Sequence, residues 1–212
     1  MPEEIKKPKF TKIVDYRPKD VDEVGFKFVG HEISEDGKYI NQKLHYDQLY
    51  TMRQGSNSKL FIGFIEGKIF GTKCPICGDK FFPPRINCWN LDCKAAKCDW
   101  IELKPKAKVW TWTVAGWSGR SSLKRLPLVL VYAVVDGCKT AIANEVLNIQ
   151  PWDVEFGMPL KIVFKPKKER AGSTSDWHFE PDDGWKPSPM NPEKERIKTL
   201  VMPVYDWVKT LK

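Results

Sequence analysis

Five of the six cysteines fall within twenty-five residues, CPICGDKFFPPRINCWNLDCKAAKC, from Cys74 to Cys98. No other stretch of the 212 residues limits the fold as much. Thiols at this density end as disulfides, as packed core residues or as ligands of one metal. Cys74 and Cys77 are two residues apart, with Gly78 directly after. That is a zinc-knuckle pattern: a tight turn aims two sulfurs at one point, and the glycine lets backbone N–H groups approach them. Ten residues separate Cys77 from Cys88, enough for a short hairpin that returns the chain to the metal. The second knuckle is irregular. Leu91 stands where a regular CxxC would place cysteine, and Cys93 and Cys98 follow at five and ten residues from Cys88. Tetrahedral zinc takes four thiolates. The shorter loop costs less to close. The favoured ligands are therefore Cys74, Cys77, Cys88 and Cys93, with Cys98 the alternative for the fourth place.

Four cysteines leave zinc no open position, so the expected role is structural. In a ribbon with little core, the metal would contribute about 10–16 kcal/mol of folding free energy. Iron suits the same four sulfurs. The disulfide reading needs an oxidising compartment. The opening MPEEIKKPKF has no apolar signal core. A reducing, cytoplasmic setting is expected. The most apolar run, LPLVLVYAVV at 126–135, is ten residues long and reads as a buried strand. A membrane span needs roughly 18 or more, so no membrane partner is expected.

The net charge of +8 is unevenly placed. Residues 71–110 carry eight Lys/Arg against four Asp/Glu, and residues 111–170 nine against five. A focused positive surface implies an anionic partner, whereas a dispersed one only aids solubility.

Strand and helix signals divide the rest. An extension over 1–67 opens with a proline-punctuated arm. GFKFVGHEI (25–33) and KYINQ (38–42) flank the turn SEDG and predict a hairpin. LHYDQLYTMRQG (44–55) has helical spacing. Ser58 is placed to cap a short helix with Phe61, Phe64 and Ile65 on one side. The zinc ribbon is assigned to 68–104. A barrel over 105–182 follows, with strands at 108–117, 128–135, 139–147, 158–165 and 176–181. Strict alternation in the first puts Trp110, Trp112 and Val114 on one face. Both tryptophans read as barrel core. LVLVYAVV is apolar throughout, as a strand covered on both faces would be. Five strands, the third and fourth joined by PWDVEFG, predict a Greek-key barrel of the OB type. The tail, 183–212, is predicted helical, with Asn191 as N-cap, Pro192 at N1 and a kink at Pro203.

An independent active site would have to use Cys98, Cys138, His31, His45 or His178. No nucleophile elbow or phosphate loop accompanies them. Asp176 and His178 share a strand face and read as a surface pair. The loop GWSGRSSLKRLP (116–127) offers Trp117, Arg120, Lys124 and Arg125. Aromatics beside Arg and Lys suit coenzyme A, whose adenine stacks and whose phosphates pair with cations. They equally suit single-stranded nucleic acid.

CPICG, FFPPR, a further cysteine pair, KVWTWTVA, FGMPLKIVFKP and DWHFEP occur in that order over about residues 58–182. Together they resemble the bacterial and archaeal family that joins a rubredoxin-like zinc ribbon to an OB-fold and is encoded beside thiolases. The resemblance implies a mainly β protein with a structural zinc ion. It further implies a non-catalytic subunit of a thiolase-type acyl-CoA enzyme, whose partner carries the catalytic cysteine and histidines. Coenzyme A or an acyl-CoA would then be the shared ligand, with Arg120, Lys124 and Arg125 as its contacts. Nucleic-acid binding is the alternative. Leu91 departs from the family pattern, while the seven-residue interval from Cys93 to Trp100 resembles the family's spacing after its last ligand.

Overall fold

The computed structural model describes residues 25–33, 40–47, 53–116 and 126–210. The chain divides into two compact units, Met1–Arg53 and Gln54–Lys212. In the first, β1 (Gly25–Ile33) and β2 (Ile40–Asp47) form an antiparallel hairpin with a bulge between Phe28 and Gly30. β2 runs past the expected end. Leu44 pairs with Phe28 and Asp47 with Gly25, so the predicted helix over 44–55 does not begin at Leu44. Cross-strand pairing won over helical spacing there. Residues 48–52 lie outside the described residues.

The second unit opens with α1 (Ser58–Glu66). Asn57, not Ser58, is the N-cap, and the Ser58 hydroxyl donates to the Gly55 carbonyl at 2.7 Å. The buried face is Leu60, Gly63 and Phe64, while Ile65 is exposed. Gly63 is required by close approach: a Cβ there would lie 2.5 Å from the Phe70 ring. β3 (Ile69–Lys73) is the central strand of a three-stranded antiparallel sheet, between β4 (Lys80–Phe81) and β5 (Asp99–Leu103).

The barrel strands are β6 (Lys106–Ala115), β7 (Leu128–Val135), β8 (Ala141–Glu145), β9 (Pro159–Phe164) and β10 (Trp177–Pro181). Their order is β10-β9-β6-β7-β8, all antiparallel. A parallel bridge between Val146, just after β8, and Phe179 of β10 joins the two ends of that order. The Leu147 N–H donates to the Phe179 carbonyl at 2.9 Å across it. A 1-2-3 meander, a fourth strand beside the first and a fifth parallel to the third make the OB topology. Inside are Val131, Leu160, Trp177 and Phe179. The indole of Trp177 meets Phe179 edge-on at 5.2 Å between centroids.

Two expectations for the barrel need correction. β6 bulges between Val109 and Thr111, so alternation shifts by one residue. Ala107 and Val109 face in before the bulge and Trp112 packs against the core after it, but Trp110 is thrown out to the surface. β7 is not covered on both faces, because Tyr132 is exposed.

α2 (Pro192–Lys209) begins at Asn191, whose side chain accepts from the Lys194 N–H, and runs through Pro203. Val208 packs with Leu126 and Leu128 against the outside of the barrel. Leu200 and Trp207 remain exposed. None of the described helices is long and apolar enough to cross a membrane.

Candidate metal centre

The first knuckle closes where β3 ends. The Gly78 N–H donates to the Cys74 carbonyl at 3.0 Å, and Gly78 holds φ +77°, a conformation that a side chain would strain. The Ile76 N–H points at the Cys74 sulfur at 3.4 Å. Backbone N–H groups, that of Cys77 first and that of Ile76 after it, pull the Cys74 thiol down to about 7 against its burial.

The second knuckle absorbs its irregular spacing in a 3-10 turn, Leu91–Cys93. Asn90 caps the turn by accepting from the Asp92 N–H at 3.0 Å. Lys94 and Ala95 then take positive φ and double the chain back. The Cys88 N–H meets the Ala96 carbonyl at 2.9 Å, and Asn87 bridges Lys97. The extra residues are the turn itself, and Leu91 sits on its outer surface.

The structure brings Cys74, Cys77, Cys88 and Cys93 together with all four sulfurs within 4.8 Å of one another. Cys77 and Cys88 are 3.8 Å apart. Zinc with Zn–S of about 2.3 Å sets neighbouring sulfurs about 3.8 Å apart, so the four residues fit a tetrahedral ion. Three are buried and Cys77 is exposed. Burial pushes the Cys93 thiol up to about 12. Four thiolates in this space need a cation to neutralise them. Cys98 stands outside the group. It is buried beyond the Asn87–Lys97 bridge, and burial raises its thiol to about 11. Cys138 lies in the barrel core, raised to about 11 for the same reason.

Arg120, Lys124, Arg125 and Trp117 lie outside the described residues. The Asp176–His178 surface pair is corrected: Asp176 is buried, and its carboxylate accepts from the N–H groups of Ala171, Gly172 and Ser173. It shapes the loop before β10. His178 instead faces Glu180 at 3.2 Å.

Sequence reasoning missed the contacts that set the ribbon on the barrel and α2 against it. Lys80 of β4 pairs with Asp136 at 3.0 Å, and the Phe82 N–H donates to Thr140 at 2.9 Å. Thr72, fully buried, both donates to and accepts from the Arg85 backbone. Lys194 is buried against Asp153 at 3.1 Å and Glu155 at 2.9 Å. Nothing in the charged stretch PEKERIK marks that one lysine as buried.

No family model matches the chain. It is 29% identical over 102 residues to a DUF35 domain-containing scaffold protein of Methanocaldococcus jannaschii, covering 48% of this chain and 70% of that protein. Two solved structures are similar. One is the Ltp2-ChsH2(DUF35) aldolase, 17% identical with a TM-score of 0.48, covering 62% of this chain and 98% of that one. The other is a protein of unknown function from the DUF35 family of Sulfolobus solfataricus, 21% identical with a TM-score of 0.45, covering 60% and 87%. Four sulfurs gathered on a ribbon ahead of an OB barrel thus accompany a sequence similarity, over 102 residues, to a DUF35 domain-containing scaffold protein.

Proposed function

We propose that this protein is a zinc-bearing, non-catalytic subunit of a thiolase-type acyl-CoA enzyme. The cysteine cluster carries the reading: Cys74, Cys77, Cys88 and Cys93 would hold zinc with no position left for substrate. The metal would shape the ribbon and do no chemistry. The match to a protein named as a scaffold supports a role in assembly. In this reading the partner supplies the catalytic groups, and this chain steadies it. Arg120, Lys124 and Arg125 would help hold the CoA moiety of the substrate. The finer assignment is the zinc-finger subunit of benzoylsuccinyl-CoA thiolase, from anaerobic toluene degradation. It rests on the N-terminal arm and C-terminal tail of the sequence.

Co-expression of the full chain with the product of its neighbouring gene, expected to be a thiolase-type subunit, is the test. The expected result is a stable complex with thiolytic activity on a ketoacyl-CoA, and none from this chain alone. Turnover by the isolated chain would overturn the non-catalytic role. Failure to co-purify would overturn the subunit role. Oligonucleotide binding that falls steeply with salt, as counterion release requires, would instead favour a single-strand binder.

A further inference from the structure

Trp110 is the bulged residue of β6 and is 69% exposed, between a buried Val109 and a core-packed Trp112. Phe156, just before β9, is 76% exposed. Both rings line one groove of about 930 Å³ on the outside of the barrel, with Val134 among its apolar lining. Two hydrogen bonds hold this arrangement. The Val109 N–H donates to the Met158 carbonyl at 3.1 Å, and the Gly157 N–H donates to the Val109 carbonyl at 2.8 Å. The bulge and the turn bearing Phe156 are thus fixed to each other. A bulge re-aims a side chain at the cost of ladder bonds. Here it carries a tryptophan away from a core that would have stabilised it.

The charges in the groove narrow the occupant. Asp136 and Asp182 line it, and each already has a lysine, Lys80 and Lys106, both at 3.0 Å. Lys108, also in the lining, has no ion pair among the described residues. The groove therefore offers two rings and one unmatched cation. A polyphosphate backbone would meet the two carboxylates. A protein surface with one apolar side chain beside one carboxylate matches the set; Trp and Phe are both enriched at such interfaces, and Trp is among the residues that carry most of their binding energy.

Resting on the subunit reading above, we propose that this groove is where the catalytic partner docks. The partner inserts an apolar side chain between Trp110 and Phe156 and sets a carboxylate against Lys108.

Hydroxyl-radical footprinting of the full chain, free and in complex with the co-expressed thiolase-type subunit, tests this without any substitution. Trp110 and Phe156 should oxidise in the free chain and be protected in the complex. Trp110→Ala and Phe156→Ala should each weaken the complex by about 30-fold or more, the loss expected of an interface hot spot. Trp207→Ala, removing an exposed ring on α2, should change it little. A complex that forms with Trp110 still oxidisable, or that tolerates both alanine variants, overturns the groove and leaves the subunit reading intact. Absence of any complex overturns both. Protection of Trp110 by a labelled oligothymidylate at low salt assigns the groove to nucleic acid and overturns the proposal.

Discussion

Around the knuckles of the ribbon, the interior is four buried cysteines and Phe81, with Ala96 against them. The interior of the barrel is a continuous apolar cluster that runs from α1 through β6 and β7 to Trp177 and Phe179. One region has almost no hydrocarbon to bury and must be held at a point. The other is held by area, at roughly 25 cal/mol per Å² of apolar surface removed from water. The two are joined by Ile69, Phe82 and Leu103, which the ribbon sends into the barrel's apolar cluster, and by two polar contacts, Lys80 to Asp136 and Phe82 to Thr140. The difference teaches that a single substitution can dismantle the ribbon, whereas the barrel yields by degrees.

The largest expected effect breaks the ribbon alone. Cys93→Ser should abolish metal binding, removing a contribution of about 10–16 kcal/mol to local folding. Residues 74–98 should then lose amide-exchange protection while β6–β10 keep theirs. Cys98→Ser should keep about one metal per chain, since tetrahedral coordination needs only four sulfurs. Elemental analysis of both variants decides: retention of metal in Cys93→Ser with loss in Cys98→Ser reverses the ligand assignment.

The converse experiment weakens the barrel. Phe179 and Trp177 are essentially buried, so Phe179→Ala should cost about 3–5 kcal/mol. Chemical denaturation should show a lower midpoint with the metal content of the folded fraction unchanged. Trp177→Phe sharpens the point. The Trp177 indole N–H is buried without a hydrogen-bond partner among the described residues. Replacing it removes an unpaired donor along with some volume, and the cost should be well below that of Trp177→Ala.

A third prediction concerns the polar staple of α2. Lys194→Ala leaves Asp153 and Glu155 facing each other, at an expected cost of about 1–3 kcal/mol, below the fully buried case because both carboxylates keep some solvent. The pH dependence follows from the two shifts. Burial lowers the Lys194 pKa, but hydrogen bonds to Glu155 and Asp153 outweigh it and the net shift is upward. Its stabilisation is complete below the unfolded value and is lost as pH rises through the raised folded value. Glu155 is held below the usual carboxylate range by the Ser188 hydroxyl first and then by Lys194. Its stabilisation is present above the unfolded value and is lost as pH falls through the lowered one. Protection of the α2 amides, taken relative to their intrinsic exchange rate at each pH, should therefore be greatest between about pH 5 and pH 10, the interval between ordinary Glu and Lys pKa values. A flat profile would remove the staple from the account.

The smallest effect is at the helix start. Asn191→Ala removes one cap hydrogen bond and should cost about 1 kcal/mol, read as a small fall in melting temperature with metal and barrel untouched.

Much of this was legible in the residues. Local chemistry acts over a few positions, so CPICG announced a knuckle, Asn191-Pro192 a helix start, and Asp136-Gly137 a turn between two strands. The strand count and the OB order were within reach because each strand's apolar run is short and bounded. What sequence could not carry was any decision made by a distant partner. Trp110 alternates correctly for the core, but hydrogen bonds to Met158 and Gly157 fix a bulge that turns it outward. Lys194 sits among exposed charges, yet its side chain ends against Asp153, forty-one positions away. Spacing sets Phe61, Phe64 and Ile65 on one side of α1, but β3 approaches along Gly63 and Ile65 stays exposed. The spacing of cysteines determined that a four-sulfur site would form, because chelation needs only a short loop and a turn. Which ring faces water, and which lysine does not, depended on surfaces that meet only after the chain has folded.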